Sequence, residues 1–385
     1  FCTLGILNIR ATNIVKTMNR TKITAVNLYD FLIVIHYFCK ICIPHNMEKL
    51  SYILGIESSC DDTAAAVLRN DEVLSNCVAN QEIHQAYGGV VPELASRAHQ
   101  ANIVPVVQQA LSIANIDKKD LTAIAYTRGP GLLGSLLVGS AFAKSLALSL
   151  NIPLIEVNHM QAHLLCHFIK NENESPPAFP FLGVTLSGGH TQLVLVESHF
   201  EMKEIGKTRD DAIGEAFDKC GKIMGLNYPA GPEVDQLAKT GNPDAFEFPI
   251  PKVSGLEVSY SGLKTAFINL VNRNCQKNPK FIAENLNDLC ASIQKTLVAV
   301  IIEKITLAKK EYNLESVVIG GGVAANSAIR EVLNLKAENE AWEVFLPPFQ
   351  YTADNAAMIG IVGYQKLISE KLSTMKQSVS ARLSF

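Results

Sequence analysis

Two histidines four residues apart are the clearest candidates for chemistry in this sequence. His159 and His163 fall at the start of a predicted helix, where this spacing places both imidazoles on one face. Neutral imidazoles in such a pair are typical ligands of zinc or ferrous iron. Met160 follows the first histidine where the zinc-protease signature has a glutamate, so no general base is supplied. Buried histidines that satisfy backbone groups would give the same spacing.

A metal site would need a third ligand from elsewhere in the chain. Asp354 is the best candidate because it lies in the turn TADNAA, which follows a strand and Pro347-Pro348 and precedes a predicted helix. Spacing alone leaves this choice open.

Three tight turns at predicted strand ends could hold an anionic ligand. Backbone N–H groups in a glycine turn form an anion site, and Gly188 and Gly189 would let a phosphate approach without a Cβ in the way. The turn ESSCDDT instead carries Asp61 and Asp62, which suit a metal, a water or a hydroxyl beside the phosphate. Together with the glycine turn at 320–322, these turns favour a ligand cleft between two lobes, although any one of them could be a plain hairpin.

Two more aspartates flank a Pro-Ala-Gly-Pro turn. Asp218 and Asp235 are suited to binding ribose hydroxyls, and helix caps or solvated faces are the alternative interpretation.

The elements expected to position these residues alternate as in an α/β protein. Two strand–polar turn–strand units, at residues 52–68 and 181–196, each open a lobe and indicate an internal duplication. The tract Asn171 to Pro180 is the best linker candidate. Alternating strands and helices predict mostly parallel pairing, with helices on both sheet faces.

Composition limits the function classes. A hydrophobic fraction of 48% and a net charge of −3 indicate a globular protein that is no electrostatic nucleic-acid binder, so RNA contact needs a local basic patch or a partner. Nine cysteines without regular spacing indicate free thiols in a reducing compartment. The apolar stretch at residues 31–38 is far shorter than the ~20 residues of a membrane span, and no secretory signal is evident.

Residues 1–46 differ from the rest of the chain. Residues 1–29 carry four basic side chains and no acidic one, which is typical of a mitochondrial presequence, whereas Met47 begins a globular pattern. We expect this extension to be disordered or absent from the mature protein, either as a targeting peptide or through a wrong start site.

Nine motifs occur in the order found in the TsaD family, the tRNA threonylcarbamoyladenosine transferases, which this chain resembles from about Leu54 to its C-terminal end. The motifs are ESSCDDT, YGGVVPELASRAH, TRGPGLLGSLLVG, NHMQAH, SGGHTQL, GEAFDK, SYSGLKT, GGGVAAN and TADNAAMIG. The resemblance implies the duplicated two-lobe actin, Hsp70 and sugar-kinase (ASKHA) fold with a nucleotide cleft. Residues 47–176 would form the N-terminal lobe and 177–385 the C-terminal lobe, with the last helix able to cross back to the first lobe.

The same resemblance implies a function, an acyl transfer to tRNA. The threonylcarbamoyl group of threonylcarbamoyl-adenylate would pass to N6 of the adenosine 3′ of the anticodon, in tRNAs reading codons that start with A (t6A formation). Matched by position, the metal ligands are His159, His163 and Asp354, with Fe²⁺ favoured, Zn²⁺ as the alternative and Mg²⁺ possible with the nucleotide. The acidic pair needed for activity is Asp61 and Asp62. The substrate-binding positions are Thr185, Leu186, Ser187, Gly188, Gly189, Asp218, Gly231, Asp235 and Asn326.

The resemblance also implies partners and a compartment. A bacterial member would work with tRNA, an inactive actin-like paralogue of the TsaB type and a small P-loop ATPase of the TsaE type, in the cytoplasm and away from membranes. The mitochondrial matrix is the alternative compartment. The competing functions are an ATP-dependent small-molecule kinase of the same fold and a non-catalytic paralogue that only binds partners. Retention of three metal ligands disfavours both, and a metallopeptidase lacks its glutamate.

Overall fold

Two five-stranded sheets with the same strand order organise the chain. The computed structural model describes residues 50–385 apart from 82, 83, 85, 86 and 173, so the expectations for residues 1–46 lie outside the described residues. The first sheet has the order β3-β2-β1-β4-β5 and the second β8-β7-β6-β9-β10. The first comprises β1 (Tyr52–Glu57), β2 (Thr63–Arg69), β3 (Glu72–Ala79), β4 (Ala123–Gly129) and β5 (Leu154–Asn158). The second comprises β6 (Phe181–Leu186), β7 (Thr191–Val196), β8 (Met202–Lys207), β9 (Ser316–Gly320) and β10 (Glu343–Phe345).

The strand pairing corrects one expectation. In each sheet the first three strands form an antiparallel meander and the last two add in parallel, so four of the eight pairings are antiparallel. The prediction of mostly parallel pairing was therefore wrong. The turns at 58–62 and 187–190 are too short for the crossover that a parallel pair needs, and a short turn can join only antiparallel neighbours.

Nine helices cover the sheets in the described part of the chain. They are α1 (Pro92–Ala114), α2 (Leu133–Leu150), α3 (His159–Leu165), α4 (Ile213–Met224), α5 (Gly231–Ala238), α6 (Ser261–Lys277), α7 (Phe281–Glu311), α8 (Ser327–Glu340) and α9 (Ala356–Ile368). Short 3₁₀ turns span Lys118–Asp120, Cys166–Phe168, Gly322–Ala325 and Phe349–Tyr351.

Each sheet is buried by helices. On the first sheet, α9 packs on one face and α1 with α2 on the other, and each pairing forms its own apolar cluster. On the second sheet, α4 to α8 build a large cluster that contains the apolar face of α7. The layers follow from the central strands β1 and β6, which are buried along nearly their whole length and so need cover on both sides.

The short helix α3 contacts both sheets. Its Ala162 and Leu165 belong to the apolar cluster of the first sheet and α9, whereas Leu164 packs with Phe181 and Val318 of the second sheet. Small residues on the second sheet permit this approach, since a Cβ added at Gly320 would lie 2.4 Å from the carbonyl oxygen of His163. The histidine-bearing helix is thus fixed from two directions.

Helix α2 is the one helix among the described residues that is long and apolar enough to cross a membrane by length and composition. In the fold it packs against α1 and β4, and its small residues Ser135, Gly139 and Ala143 are buried there. Of this helix 33% is buried, and its Leu133, Leu137 and Leu148 are exposed.

Candidate metal centre and ligand cleft

The two histidines occupy the first turns of α3. Asn158, the last residue of β5, caps the helix by accepting from the backbone N–H groups of Met160 (2.9 Å) and Gln161 (3.2 Å). Because Asn is among the best N-cap residues, the strand ends and the helix begins at this point. The ring centroids of His159 and His163 lie 4.7 Å apart, so both imidazoles leave the same face.

Asp354 meets both imidazoles. Its Oδ1 lies 3.2 Å from Nε2 of His163 and 3.4 Å from Nε2 of His159. The aspartate ends the turn before α9, where Asn355 caps the helix by accepting from the N–H of Met358 at 3.0 Å. The structure thus brings Asp354 to a histidine pair from which it is distant in the sequence, 191 positions from His163.

A buried glutamate orients His159. Oε2 of Glu57 lies 3.0 Å from Nδ1 of His159, accepts from the Thr127 hydroxyl at 2.6 Å, and belongs to a side chain with no exposed surface. The Ser59 hydroxyl lies 3.3 Å from the same imidazole nitrogen. With Nδ1 engaged, Nε2 is the nitrogen directed at Asp354, the arrangement usual for metal-binding histidines that bond a second carboxylate.

The charges of this cluster shift its pKa values in opposite directions. Burial lowers the pKa of His159, but the carboxylates of Asp354 and Glu57 outweigh burial and hold it well above its usual range. Burial likewise raises the pKa of Asp354, but the charge of His159 outweighs it and the pKa lies well below the usual value. The two carboxylates therefore favour a positive charge between them.

The donor set fits a divalent transition metal. One donor atom each from His159, His163 and Asp354 lies within 4.8 Å of the others, and Asp354 is close to both imidazoles. Ligands at bond lengths of about 2.1 Å from one ion lie about 3.0–3.5 Å apart, which matches the Asp354 contacts. The other nitrogen of His163, Nδ1, is buried with no hydrogen-bond partner among the described residues.

The cluster opens onto a cleft of about 1060 Å³. All three turns that sequence analysis singled out contribute to its lining, together with a loop after β4 and side chains of α4. Seven of the predicted site residues line this cleft, namely Asp61, His159, Ser187, Gly188, Gly189, Asp218 and Asp354.

The glycine turn leaves room for a ligand backbone contact. A Cβ added at Gly188 or Gly189 would meet no atom within 4 Å, so both residues face open space. Helix α4 begins directly behind the turn, where the N–H of Gly214 donates to the carbonyl of Ser187 at 3.2 Å. Open glycines beside a helix N-terminus are suited to a phosphate group.

The acidic turn has the opposite character. Asp61 lines the cleft, and both Asp61 and Asp62 are half-buried. Burial, with added repulsion from Asp354 and Asp61, raises the pKa of Asp62 to about 7. A carboxylate in such surroundings is stabilised by a nearby cation.

Five predicted substrate-binding residues do not line the cleft, namely Thr185, Leu186, Gly231, Asp235 and Asn326. Thr185 and Leu186 are fully buried in β6, where the Thr185 hydroxyl donates to Gln192 at 3.2 Å. Asp235 accepts from the hydroxyl of Ser327 (2.7 Å), and Asn326 caps α8. The side chains of Asp235 and Asn326 organise the start of α8. A ligand role for these residues stays a prediction.

Asp218 and Gly231 meet at the start of α5. Oδ1 of Asp218 accepts from the N–H of Ala230 at 2.7 Å, and burial raises the pKa of Asp218. Asp218 thus serves as a cap and also reaches the cleft, so the two interpretations given for it are compatible. Gly231 does not line the cleft.

Sequence reasoning missed three residues beside the centre. Glu57 and Ser59 contact His159, and His190 lines the cleft. Burial, with repulsion from His159, lowers the pKa of His190 to about 4, so its imidazole is neutral. A glutamate at the end of an apolar strand was the one available signal, because an acidic side chain in a buried strand needs a partner.

Comparison with known proteins identifies the family. The family model for TsaD, described as tRNA N6-adenosine threonylcarbamoyltransferase, matches residues 72–361. The chain belongs to the TsaD family. A relative named tRNA N6-adenosine threonylcarbamoyltransferase from Christiangramia forsetii is 58% identical over 333 residues, which cover 86% of this chain and 98% of that protein. A relative of the same name from Riemerella anatipestifer is 52% identical over 334 residues, covering 87% and 98%.

Solved structures agree with the fold of this TsaD chain. Full-length HypF, in a phosphate- and nucleotide-bound form, matches with a TM-score of 0.53 at 14% identity, covering 82% of this chain and 46% of that chain. This likeness concerns the fold alone. With the two sheets of equal strand order, it confirms the predicted actin-like (ASKHA) fold.

TsaD membership also confirms the predicted class of activity. The relatives are acyltransferases that modify tRNA, and the aligned regions cover 98% of each of the two relatives. The kinase and the non-catalytic alternatives are not favoured by this assignment.

Proposed function

We propose that this chain transfers a threonylcarbamoyl group from threonylcarbamoyl-adenylate to N6 of the adenosine 3′ of the anticodon, in tRNAs reading codons that start with A. The observation that carries the proposal is the convergence of His159, His163 and Asp354 beside a cleft that His159 and Asp354 line together with the open glycine turn. TsaD membership names the reaction, and this cleft supplies a site for it.

The glycine turn is proposed to hold the phosphate of the adenylate. Gly188 and Gly189 present backbone N–H groups beside the start of α4, where a negative charge is stabilised, whereas the N–H of Ser187 donates to the carbonyl of His190 at 2.9 Å. The adenosine moiety would lie against Asp218, which reaches the cleft near Tyr228. The backbones of Thr185 and Leu186, and the residues Gly231, Asp235 and Asn326, would shape that subsite from behind.

The metal centre is proposed to bind Fe²⁺, with Zn²⁺ as the alternative and Mg²⁺ accompanying the nucleotide. Two imidazoles and one carboxylate suit both transition metals. When bound, such an ion supplies Lewis acidity to an oxygen of the carbamoyl or phosphate group. Glu57 fixes the orientation of His159, and Asp61 and Asp62 are proposed to keep a cation or a hydroxyl in place at the acidic turn.

The transfer needs no nucleophile from the protein. The N6 amine forms a bond to the carbamoyl carbon, the bond from that carbon to the phosphate oxygen breaks, AMP leaves and N6 loses one proton. The glycine turn stabilises the phosphate charge as AMP departs, and the cleft aligns amine and carbonyl. The anticodon loop offers unstacked bases, which is how proteins usually read RNA.

The partners and the compartment follow from the same proposal. A net charge of −3 leaves little general attraction for tRNA, so a paralogue of the TsaB type and an ATPase of the TsaE type would complete the machinery in a bacterial cytoplasm. Import into a mitochondrial matrix is the alternative.

A product assay tests the proposal. The protein, with TsaB-type and TsaE-type partners, is incubated with threonylcarbamoyl-adenylate and a tRNA reading codons that start with A, and the nucleosides are analysed by mass spectrometry. We expect t6A in this tRNA and none when guanosine replaces the target adenosine. Absence of t6A, or efficient ATP-dependent phosphorylation of sugars or acetate, would overturn the proposed function.

A further inference from the structure

The end of the chain contacts two parts of the candidate site. We propose that residues 378–385, here called the C-terminal strap, are a positioning element that fixes His159 by holding both helix α3 and the loop 129–132. This inference rests on the proposed metal centre. It assigns a role to residues that do not line the cleft.

The first contact is with the cap of the histidine-bearing helix. The side-chain amide of Asn158 donates from Nδ2 to the carbonyl of Ser384 at 2.9 Å, while its Oδ1 caps α3. Asn158 directly precedes His159 and is 6% exposed, so the strap bond fixes the amide that also sets the start of the helix. Because both the amide nitrogen and the amide oxygen of Asn158 are hydrogen-bonded, the side chain has a single orientation.

The second contact is with the end of β4 and the loop that follows it. The N–H of Ser380 donates to the carbonyl of Arg128 at 3.0 Å, and the N–H of Gly131 donates to the carbonyl of Ala381 at 3.2 Å. The Arg128 side chain adds a bond from Nε to the carbonyl of Ser378 at 2.9 Å. The strap thus continues the backbone hydrogen bonding past the end of β4.

Glycines make this close approach possible. Gly129 has a φ of +151°, and a Cβ added there would lie 1.9 Å from the carbonyl oxygen of Ser380. Any other residue would push the strap away. The strap and the loop therefore fit each other tightly.

The loop in turn reaches His159. A Cβ at Gly131 would lie 2.3 Å from the carbonyl oxygen of Ser59, which also accepts from the N–H of Leu132 at 2.7 Å. The Ser59 hydroxyl lies 3.3 Å from Nδ1 of His159. Both routes from the strap, through Asn158 and through Ser59, end on the same histidine.

An apolar contact anchors the far end of the strap. Phe385 packs on the cluster that contains Leu164 of α3 and Phe181 of β6. Hydrogen bonds and an apolar side chain thus tie residues 378–385 to the site. Release of the strap is expected to loosen α3 and the metal ligands together.

Cobalt binding tests the role of the strap. Co²⁺ is titrated into the metal-free full chain, and its visible spectrum reports affinity and ligand geometry. Deletion of residues 383–385 removes the Ser384 carbonyl, and Asn158→Ser keeps a good cap but loses the amide bond. Since partners behind metal ligands commonly change affinity by 10–100-fold, we expect each variant to bind Co²⁺ about tenfold more weakly, with an altered spectrum. Lys376→Ala, an exposed residue before the strap, is the control and should match the wild type.

Hydrogen exchange gives a second readout that needs no metal. We expect faster amide exchange in α3 and in the loop 129–132 after the deletion, with the exchange of α7 unchanged as a check of folding. If both variants show the Co²⁺ affinity, the visible spectrum and the amide exchange of the wild type, the proposed positioning role of the strap is overturned. Failure of the wild type itself to bind Co²⁺ would instead overturn the metal centre, and with it the strap's proposed purpose.

Discussion

The two hairpins that open the two sheets have the same topology and different chemistry. In the first, β1 and β2 are joined by a turn that carries Asp61 and Asp62, with Glu57 at its start. In the second, β6 and β7 are joined by a turn with Gly188 and Gly189 open to the cleft. The first turn concentrates negative charge beside His159, and the second exposes backbone N–H groups beside the start of α4.

This difference shows how a duplicated fold can divide the work of one site. Residues of both turns line the same cleft, so each turn can act on one part of a bound ligand. Carboxylates favour a cation, and an open glycine turn favours a phosphate. We infer that the acidic hairpin belongs to the metal side and the glycine hairpin to the phosphate side.

The largest effect is expected at Asp354, which supplies the carboxylate of the metal centre. Asp354→Ala should abolish stoichiometric metal binding and lower t6A formation by about a thousandfold, because Lewis-acid activation contributes several kcal/mol and ~1.4 kcal/mol is a factor of ten. Metal content and the transfer rate are measured on the same preparation. Asp120→Ala, an exposed aspartate, is the matched control. Full activity in Asp354→Ala would show that t6A formation does not depend on a metal at this site.

A smaller effect is expected at Glu57, the residue behind His159. Glu57→Gln keeps the shape of the side chain but removes the negative charge of the carboxylate that contacts Nδ1 of His159. The affinity for the metal should therefore fall about ten- to hundredfold. Competition with a chelator of known affinity measures the change. Glu72→Gln, in a surface pair with Arg69, should have no effect on metal binding. Equal affinities in the two variants would assign the acidic hairpin a structural role only.

The glycine hairpin is tested by adding one methyl group. Gly189→Ala meets no atom in the protein and needs no positive φ, so the free energy of unfolding and metal affinity should not fall. The KM for threonylcarbamoyl-adenylate should rise about tenfold, since the Cβ occupies the approach to the backbone and ~1.4 kcal/mol of contact is lost. Gly262→Ala, also unhindered and outside the cleft, is the control. An unchanged KM would place the phosphate elsewhere.

The smallest effect is a pH dependence at the acidic hairpin. The folded pKa of Asp62, about 7, lies above the unfolded value of about 4, so the folded chain holds the proton more tightly. The stability of the metal-free protein should therefore fall as pH rises from about 4 to 7 and then level off. Asp62→Asn should be more stable than the wild type by about 1 kcal/mol at pH 8 and equal to it near pH 4.

Urea unfolding at several pH values measures this difference, with Asp120→Asn as the control. Parallel stability curves for the wild type and Asp62→Asn would show that the charge at this turn is already compensated without a cation.

Local patterns were sufficient for much of the fold. The strands β1, β6 and β7 lie where the apolar runs predicted them, and the histidine pair lies on α3 as the spacing predicted. These features depend on neighbours in the chain. The internal duplication was likewise visible, because two similar strand–turn–strand units recur.

Long-range contacts were not predictable from spacing. The Glu57 to His159 contact and the strap on Asn158 join residues far apart in the chain. Asp354 was only one candidate until the ordered motifs were matched to a family. Local periodicity gives no information on which distant side chains come together, because those contacts depend on how the helices and sheets pack.

The most direct test of the central claim combines metal and product in one measurement. The protein is stripped of metal, shown to be folded, and assayed with its partners for t6A on tRNA before and after stoichiometric Fe²⁺ or Zn²⁺ is restored without oxygen. We predict that t6A formation disappears on stripping and returns with one ion per chain in the wild type, but not in His163→Ala. Full t6A formation by the stripped wild-type protein would contradict the account.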